Sequence, residues 1–322
     1  MPGLLERLGV VAPVVQAGMG GGISRHELAA AVSEAGGLGT IAVNGADAIQ
    51  RELRAARALT RRPIAVNVLL PFARRDTFAA AAQADVVVTF WGRPRRRTPG
   101  VWLHQCGSVE EARAAAAAGA DGLIVQGVEA GGHVRGRLPA HELLARVRDA
   151  LVPGAPPLLL AGGIAERADV AAALEAGAVA AVAGTRFLLS EESRAHPAYV
   201  ERALGSRETL LTELFGFGWP APVRVLPNAA TAHWLRDGDP RGPLALRALN
   251  RLSGAGARHV PPRMQDRLFR AQRPGSPLLS PQPVTDERPP GLVDASALYA
   301  GETVARIGDV RPAADLVAAL TP

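Results

Sequence analysis

A unit of helix, glycine and strand recurs through the first two thirds of this chain, and few folds accommodate such a repeat. Residues 111–126 (EARAAAAAGADGLIVQ) share their spacing with residues 169–184 (DVAAALEAGAVAAVAG), and residues 27–43 (ELAAAVSEAGGLGTIAV) form a looser copy. In each, an alanine-rich helical stretch ends at a glycine suited to a left-handed cap, and a short apolar strand follows. Strands joined by helices of this length pair in parallel, because the crossover helix returns the chain to the end of the sheet at which the previous strand began. Eight strand candidates can be placed: Val14–Ala17, Gly39–Ala42, Ile64–Leu69, Val86–Phe90, Val101–His104, Leu123–Val125, Leu158–Leu160 and Val179–Ala183. The Arg- and Pro-rich bridge from Gly92 to Gly100 is the exception to the helical connections. Eight such strands predict an α/β fold of the TIM (β/α)8 barrel type, whose chemistry sits at the carboxyl ends of the strands.

Glycine clusters fall at those ends. The first strand runs into Gln16-Ala17-Gly18-Met19-Gly20-Gly21-Gly22, the sixth into Gln126-Gly127-Val128-Glu129-Ala130-Gly131-Gly132-His133, the seventh into Ala161-Gly162-Gly163-Ile164 and the eighth into Gly184-Thr185-Arg186-Phe187. Glycines strip side chains from one face of a loop and let a flat ligand approach the backbone. Amides near helix starts at the last two clusters suit a phosphate, in the position where barrels commonly bind one. His133, beyond the sixth strand, supplies one acid/base group to the same set of loops.

The segments PVVQAGMGGGIS, AAAVSEAGGLGTIA, AVNVLL, VVVTFWGRP, QGVEAGGHVRG, LLLAGGIA and AGTRFLLSEESRAHPAYVERAL, in this order, resemble the nitronate monooxygenase family, formerly called 2-nitropropane dioxygenases. Weaker echoes follow in WPAPVRVLPN and YAGETVARIGDVRPAADLV. The resemblance implies an FMN-binding barrel that oxidises nitronates, and in some cases nitroalkanes, with molecular oxygen to a carbonyl compound and nitrite. It places Gln16, Gly18, Met19, Asn67 and Gln126 along the isoalloxazine and ribityl chain, with Gly131 as a further cofactor contact, and Gly163, Gly184 and Thr185 at the phosphate. It makes His133 the catalytic residue, either a base toward a neutral nitroalkane or, when protonated, an anchor for the anionic nitronate. The domains expected are an FMN-binding TIM barrel over 1–206, a helical or irregular lid subdomain over 207–292, and a segment over 293–322 returning to the barrel with a helix near Val310–Leu320. Within the lid, helices are expected around Pro243–Leu252 and Pro262–Ala271.

Other readings share the glycine loops. An FMN-dependent NAD(P)H enoyl-acyl carrier protein reductase carries the same barrel, an EAGGH-like motif and similar phosphate loops, whereas TFWGRP and the SEES-AHP continuation favour the monooxygenases. A related flavoenzyme recruited into secondary metabolism and a flavin-binding protein without turnover are the remaining alternatives. Among the other histidines, His104 at the end of the fifth strand is the second candidate for the active face. His26 and His141 are expected in solvent and His196 in a structural role, while His233 and His259 fall in the less legible C-terminal third. Glu129 is expected to fix its loop through backbone amides rather than act as a base. Phe215, Phe217, Trp219 and Trp234 suit either a pocket wall or a small core.

Composition removes several rival chemistries. The chain has no lysine, which excludes a Schiff base, a PLP anchor and a Walker phosphate loop. A single cysteine, Cys106, has no metal-ligand companion, and no metal is expected. The formal charge of +6 rests on dispersed arginines with few aromatics, so nucleic acid is not an expected partner; the small-molecule substrate and oxygen are, with a homodimer possible. The one tight run, Arg93-Pro94-Arg95-Arg96-Arg97, is either a solvated surface stretch or a guide for anionic substrates. No signal peptide or membrane span is visible, and the expectation is a cytoplasmic protein.

Overall fold

The computed structural model describes residues 3–235, 238–256, 260 and 262–322, and within them eleven strands form two sheets. The strands are β1 (Val14–Gln16), β2 (Gly39–Ile41), β3 (Ile64–Leu69), β4 (Val86–Phe90), β5 (Val101–Cys106), β6 (Gly122–Gln126), β7 (Gly132–His133), β8 (Leu158–Ala161), β9 (Ala180–Ala183), β10 (Leu210–Thr212) and β11 (Val223–Val225). The helices are α1 (Leu4–Leu8), α2 (His26–Glu34), α3 (Ala46–Leu59), α4 (Arg75–Ala81), α5 (Val109–Ala117), α6 (Ala140–Ala150), α7 (Arg167–Glu175), α8 (Thr185–Leu188), α9 (Pro197–Gly205), α10 (Ala229–Trp234), α11 (Leu244–Gly256), α12 (Pro262–Ala271) and α13 (Ala313–Leu320). They fall into two compact units. The first holds the residues up to Ala130 with Arg135–Arg194 and Asp309–Pro322; the second holds Gly131–Val134 and the described part of Ala195–Gly308.

The first unit is the expected parallel barrel. Its sheet runs β1-β9-β8-β6-β5-β4-β3-β2, every pair parallel. A parallel bridge between Val15 and Leu38 brings the first and last strands together. There Leu38 N donates to Val14 O and Gln16 N to Leu38 O, both at 3.0 Å, so the ring closes through backbone bonds. Alternation along each strand then divides the apolar residues into two sets. Val15, Ala65, Val86, Val88, Leu103, Ile124, Leu159 and Val182 share the inner cluster, which Leu4 and Val10 join from α1 and the turn after it. Their neighbours Leu123, Val125, Leu158, Leu160 and Ala181 pack outward against helices.

No helix joins β4 to β5, where the bridge of residues 92–100 runs instead. The helical position after the last barrel strand is filled from the far end of the chain. Leu316, Val317 and Leu320 of α13 share a buried cluster with Leu28 and Val32 of α2 and with Val170 and Ala173 of α7. Two charged groups hold α13 there. Arg186 Nη1 donates to Asp309 Oδ1 at 2.6 Å and its Nη2 to the Asp309 carbonyl at 2.6 Å. Glu192 accepts the Ala313 amide at 2.9 and 3.0 Å, which sets a negative charge at the positive end of the helix.

The second unit carries a small antiparallel sheet, β10-β11-β7, that the sequence reading did not anticipate. Its core gathers Leu214, Phe215, Val223, Val225, Leu246 and Leu279, with Trp234 and Tyr299 against it. Helices α11 and α12 occupy the two stretches expected to be helical. Among the described residues, no helix is long and apolar enough to cross a membrane.

Packing of α2 on β2 depends on one missing side chain. A Cβ added to Gly39 would stand 1.9 Å from the Ala29 carbonyl oxygen, a backbone atom that cannot swing away. Overpacking of this kind costs roughly 1–3 kcal/mol or more, whereas a Cβ on Gly20 would meet nothing within 4 Å. Gly39→Ala is therefore expected to lower the denaturant midpoint by the equivalent of about 3 kcal/mol and Gly20→Ala to leave it nearly unchanged. Equal midpoints for the two variants would contradict this packing.

Candidate active site

Within the barrel unit, the candidate cofactor residues stand at strand ends that are neighbours in the sheet. Reading round the ring from β6 through β8, β9, β1 and β2 to β3, the ends carry Gln126, Gly163, Gly184 with Thr185, Gln16 with Gly18 and Met19, and then Asn67. Asn67 and Gln126 continue the inward rows begun by Ala65 and Ile124, so strand alternation aims both amides at the barrel interior. Gln16 is fully buried; its Oε1 accepts the Thr40 amide at 2.8 Å and its Nε2 donates to the Ala17 carbonyl. Asn67 Nδ2 donates to the Gly18 carbonyl at 3.5 Å. A Cβ on Gly18 would lie 2.5 Å from Cβ of Asn67, so only glycine fits beside that amide. The Met19 amide donates to Ser24 Oγ at 3.0 Å, and Gln126 Oε1 accepts the Arg135 amide at 3.2 Å.

At the ends of β8 and β9 the backbone is bare. Gly162 and Gly163 have φ of +110° and +77°, a conformation that L side chains resist, and Gly184 caps α8 at Thr185. An added Cβ on Gly184 would lie 3.6 Å from Ala17 Cβ, so this end adjoins the end of β1. Bare, adjacent strand ends beside buried amides fit a flat ligand with a phosphate tail. Glu129 Oε1 accepts the Ala140 amide at 2.9 Å and so ties its loop to the start of α6, a structural use as expected.

His133 belongs to the second unit, where β7 pairs with β11 and Val223 is its partner. Its ring stacks on Trp219, with centroids 3.7 Å apart and planes 17° from parallel, and Tyr299 lies 5.5 Å away at 49°. Burial among these rings lowers its pKa from 6.5 to about 3, because the imidazolium would lose its hydration there. At neutral pH the ring is uncharged. Gly131 packs against backbone in the same unit: its Cβ would fall 2.6 Å from the Ala300 carbonyl carbon and the Gly301 nitrogen. That contact alone requires glycine at this position, whatever else the residue does.

Several expectations change. His104 does not face the barrel interior; it alternates with inward Leu103 and lies on the helix-facing side with Trp102 and Cys106. There Thr89 Oγ1 bonds His104 Nδ1 at 2.8 Å and accepts from Trp102 Nε1 at 2.7 Å. Burial, reinforced by the Arg135 charge, lowers the His104 pKa to about 4. His26 is half-buried rather than solvated, with Nδ1 2.7 Å from Glu52 Oε2. His141 and His233 are exposed, and His196 caps α9 by accepting the Ala198 amide at 3.1 Å. His259 lies outside the described residues. Cys106 is buried, and burial pushes its thiol up to about 12, so it is inert. Of the C-terminal aromatics, Phe215 and Trp234 belong to the small core and Trp219 to His133. Sequence reasoning did not single out Tyr299, although it opens the YAGETVARIG echo.

A buried neutral histidine couples stability to pH. His104 binds its proton near pH 6.5 when unfolded but only near pH 4 when folded, so its contribution is complete above 6.5 and is lost as pH falls toward 4. The loss approaches about 3 kcal/mol, at ~1.4 kcal/mol per unit. In urea titrations across this range, His104→Asn is expected to show a shallower fall in unfolding free energy than the parent. Parallel curves would contradict a neutral His104.

Comparison with known proteins agrees with the fold and the loops. A family model described as nitronate monooxygenase matches residues 3–91 and 94–322. A nitronate monooxygenase of Pseudomonas aeruginosa is 33% identical over 279 residues, covering 69% of this chain and 78% of the relative. The nitroalkane oxidase of Streptomyces ansochromogenes superposes with a TM-score of 0.72 at 30% identity, over 98% of this chain and 96% of that one. FabK of Thermotoga maritima superposes with a TM-score of 0.75 at 25% identity, over 98% and 94%. A parallel barrel with glycine-stripped strand ends and EAGGH after its sixth strand thus has its counterparts among flavin-dependent oxidoreductases, and this chain belongs to the nitronate monooxygenase family.

Proposed function

We propose that this enzyme binds FMN and oxidises nitronates, with molecular oxygen as the oxidant, to a carbonyl compound and nitrite. Bound FMN would supply electron acceptance and reactivity toward oxygen. Gln16, Gly18, Met19, Asn67 and Gln126 would hold the isoalloxazine and ribityl chain, with Gly131 as a further contact. The bare backbone at Gly163, Gly184 and Thr185 would take the phosphate. The reading rests on the histidine of the EAGGH motif, buried and stacked on Trp219 with Tyr299 beside it.

The neutral state of this ring favours one of the two roles open to His133. A protonated ring would anchor an anionic nitronate, but burial beside Trp219 and Tyr299 removes the charge. A neutral ring is ready to accept the proton on the carbon beside a nitro group. The stack on Trp219 fixes the plane of the imidazole, so its orientation is set before substrate arrives. The nitronate anion formed beside the ring would offset the desolvation of the imidazolium that proton transfer leaves, and on this reading neutral nitroalkanes are substrates along with nitronates.

Two experiments test this reading. In an anaerobic cuvette, propionate 3-nitronate is expected to bleach the flavin absorbance of the purified protein, and nitrite to appear once oxygen is admitted. Bleaching by NADPH alone would place the enzyme with the enoyl reductases instead. The second experiment compares His133→Ala with the parent on a neutral nitroalkane and on its pre-formed nitronate. Loss of a general base lowers kcat/KM on the nitroalkane by roughly 10²–10⁴-fold, while the nitronate loses much less and bound flavin is retained. Because the working form is unprotonated, the parent's kcat/KM is expected to stay level as pH falls through 6.5 and to drop only well below it. A midpoint at 6.5 or above, or equal losses on both substrates, would contradict the base role.

A further inference from the structure

We propose that the arginine-rich bridge between β4 and β5 forms a binding site for a nucleoside diphosphate. The bridge has no regular secondary structure, and its arginines divide by position. Arg93, Arg95 and Arg97 line a cavity of about 310 Å³. Arg96 is engaged elsewhere: it donates to Asp121 Oδ2 at 2.8 Å and to the Gly100 carbonyl at 3.2 Å, and lies 5.7 Å from the Trp102 ring centroid. One arginine of the run is thus neutralised by an acid. Among the described residues, the other three have no carboxylate partner, and no acidic side chain lines the cavity.

Arg93, Arg95 and Arg97 place three exposed positive charges within five residues of chain, a concentration that attracts polyvalent anions. A lone carboxylate engages one guanidinium; adjacent phosphates offer enough oxygens for several bidentate bonds. The remaining lining is apolar and partly aromatic. It includes Leu70, Phe78 and Trp91, and the Arg97 guanidinium lies 5.6 Å from the Phe78 ring centroid. Trp91 has φ of +65°, the one non-glycine residue with positive φ among those described. Strain of this kind persists where surroundings enforce it and gathers at ligand clamps. Here the surroundings are the Arg135 guanidinium, 4.9 Å from the indole centroid, and the Phe90 ring, packed edge-on at 5.4 Å. A braced indole beside unpaired arginines suits a base stacked on aromatic surface with its phosphates on guanidinium groups. The volume lies at the lower end of small-molecule pockets.

Isothermal titration of the FMN-saturated protein with ADP tests this directly, and a chain that binds no FMN can be titrated in the same way. ADP is expected to bind with a Kd of tens of micromolar, and adenosine and inorganic pyrophosphate each at least tenfold more weakly. Replacing Arg93, Arg95 and Arg97 together by alanine should weaken ADP at least tenfold. An Arg61→Ala, Arg62→Ala control, which removes exposed charge elsewhere, should leave the affinity unchanged. Far-ultraviolet circular dichroism confirms that each variant is folded. The proposal is overturned by absence of saturable ADP binding, by pyrophosphate binding as tightly as ADP, or by a triple variant no weaker than the control.

Discussion

Side-chain alternation in a closed ring of parallel strands is the constraint on which the rest of the barrel depends. Once β1 and β2 are joined through Leu38, each strand residue is assigned to the interior or to the helices, with no edge along which to slip register. The same rule that sends Val88, Leu103 and Ile124 inward sends Asn67 and Gln126 to the mouth and His104 to the outside. Candidate cofactor groups then need only small local adjustments. The Gln16 and Asn67 amides are held by backbone groups, and the ends of β8 and β9 carry no side chain at their glycines.

His133 is governed by a different physics. It lies in a two-residue strand of the small antiparallel sheet, against an indole and a phenol. Loss of hydration dominates its titration and holds the imidazole in its neutral form at neutral pH. The barrel unit carries buried amides and bare backbone at its strand ends, and the second unit carries a histidine whose plane is fixed by its stack on Trp219.

The barrel was legible because its signals are local. Alanine-rich helices, glycine caps and short β-branched runs repeat in order, and all eight expected strands occur within a few residues of their expected ends. Period-two alternation, applied strictly to Trp102, Leu103 and His104, would also have shown that His104 faces away from the interior. The second unit was less legible for a physical reason. Strands β7, β10 and β11 are only two or three residues long and pair across long stretches of sequence, so no periodic pattern accumulates. The neighbours of His133 come from residues 219 and 299, and nothing local to the EAGGH motif announces them. The return of α13 was visible as an apolar helix, but its anchoring by Glu192 and Arg186 requires the folded chain.

The charge of the His133 imidazole decides between its two roles, and nitrogen-15 NMR of the histidine-labelled protein reads it without any turnover. With the His133 signals assigned by their loss in His133→Ala, the ring nitrogens should keep the widely separated shifts of a neutral tautomer from pH 8 down to pH 5. Convergence of the two shifts with a midpoint near 6.5 would show a protonated ring and contradict the account.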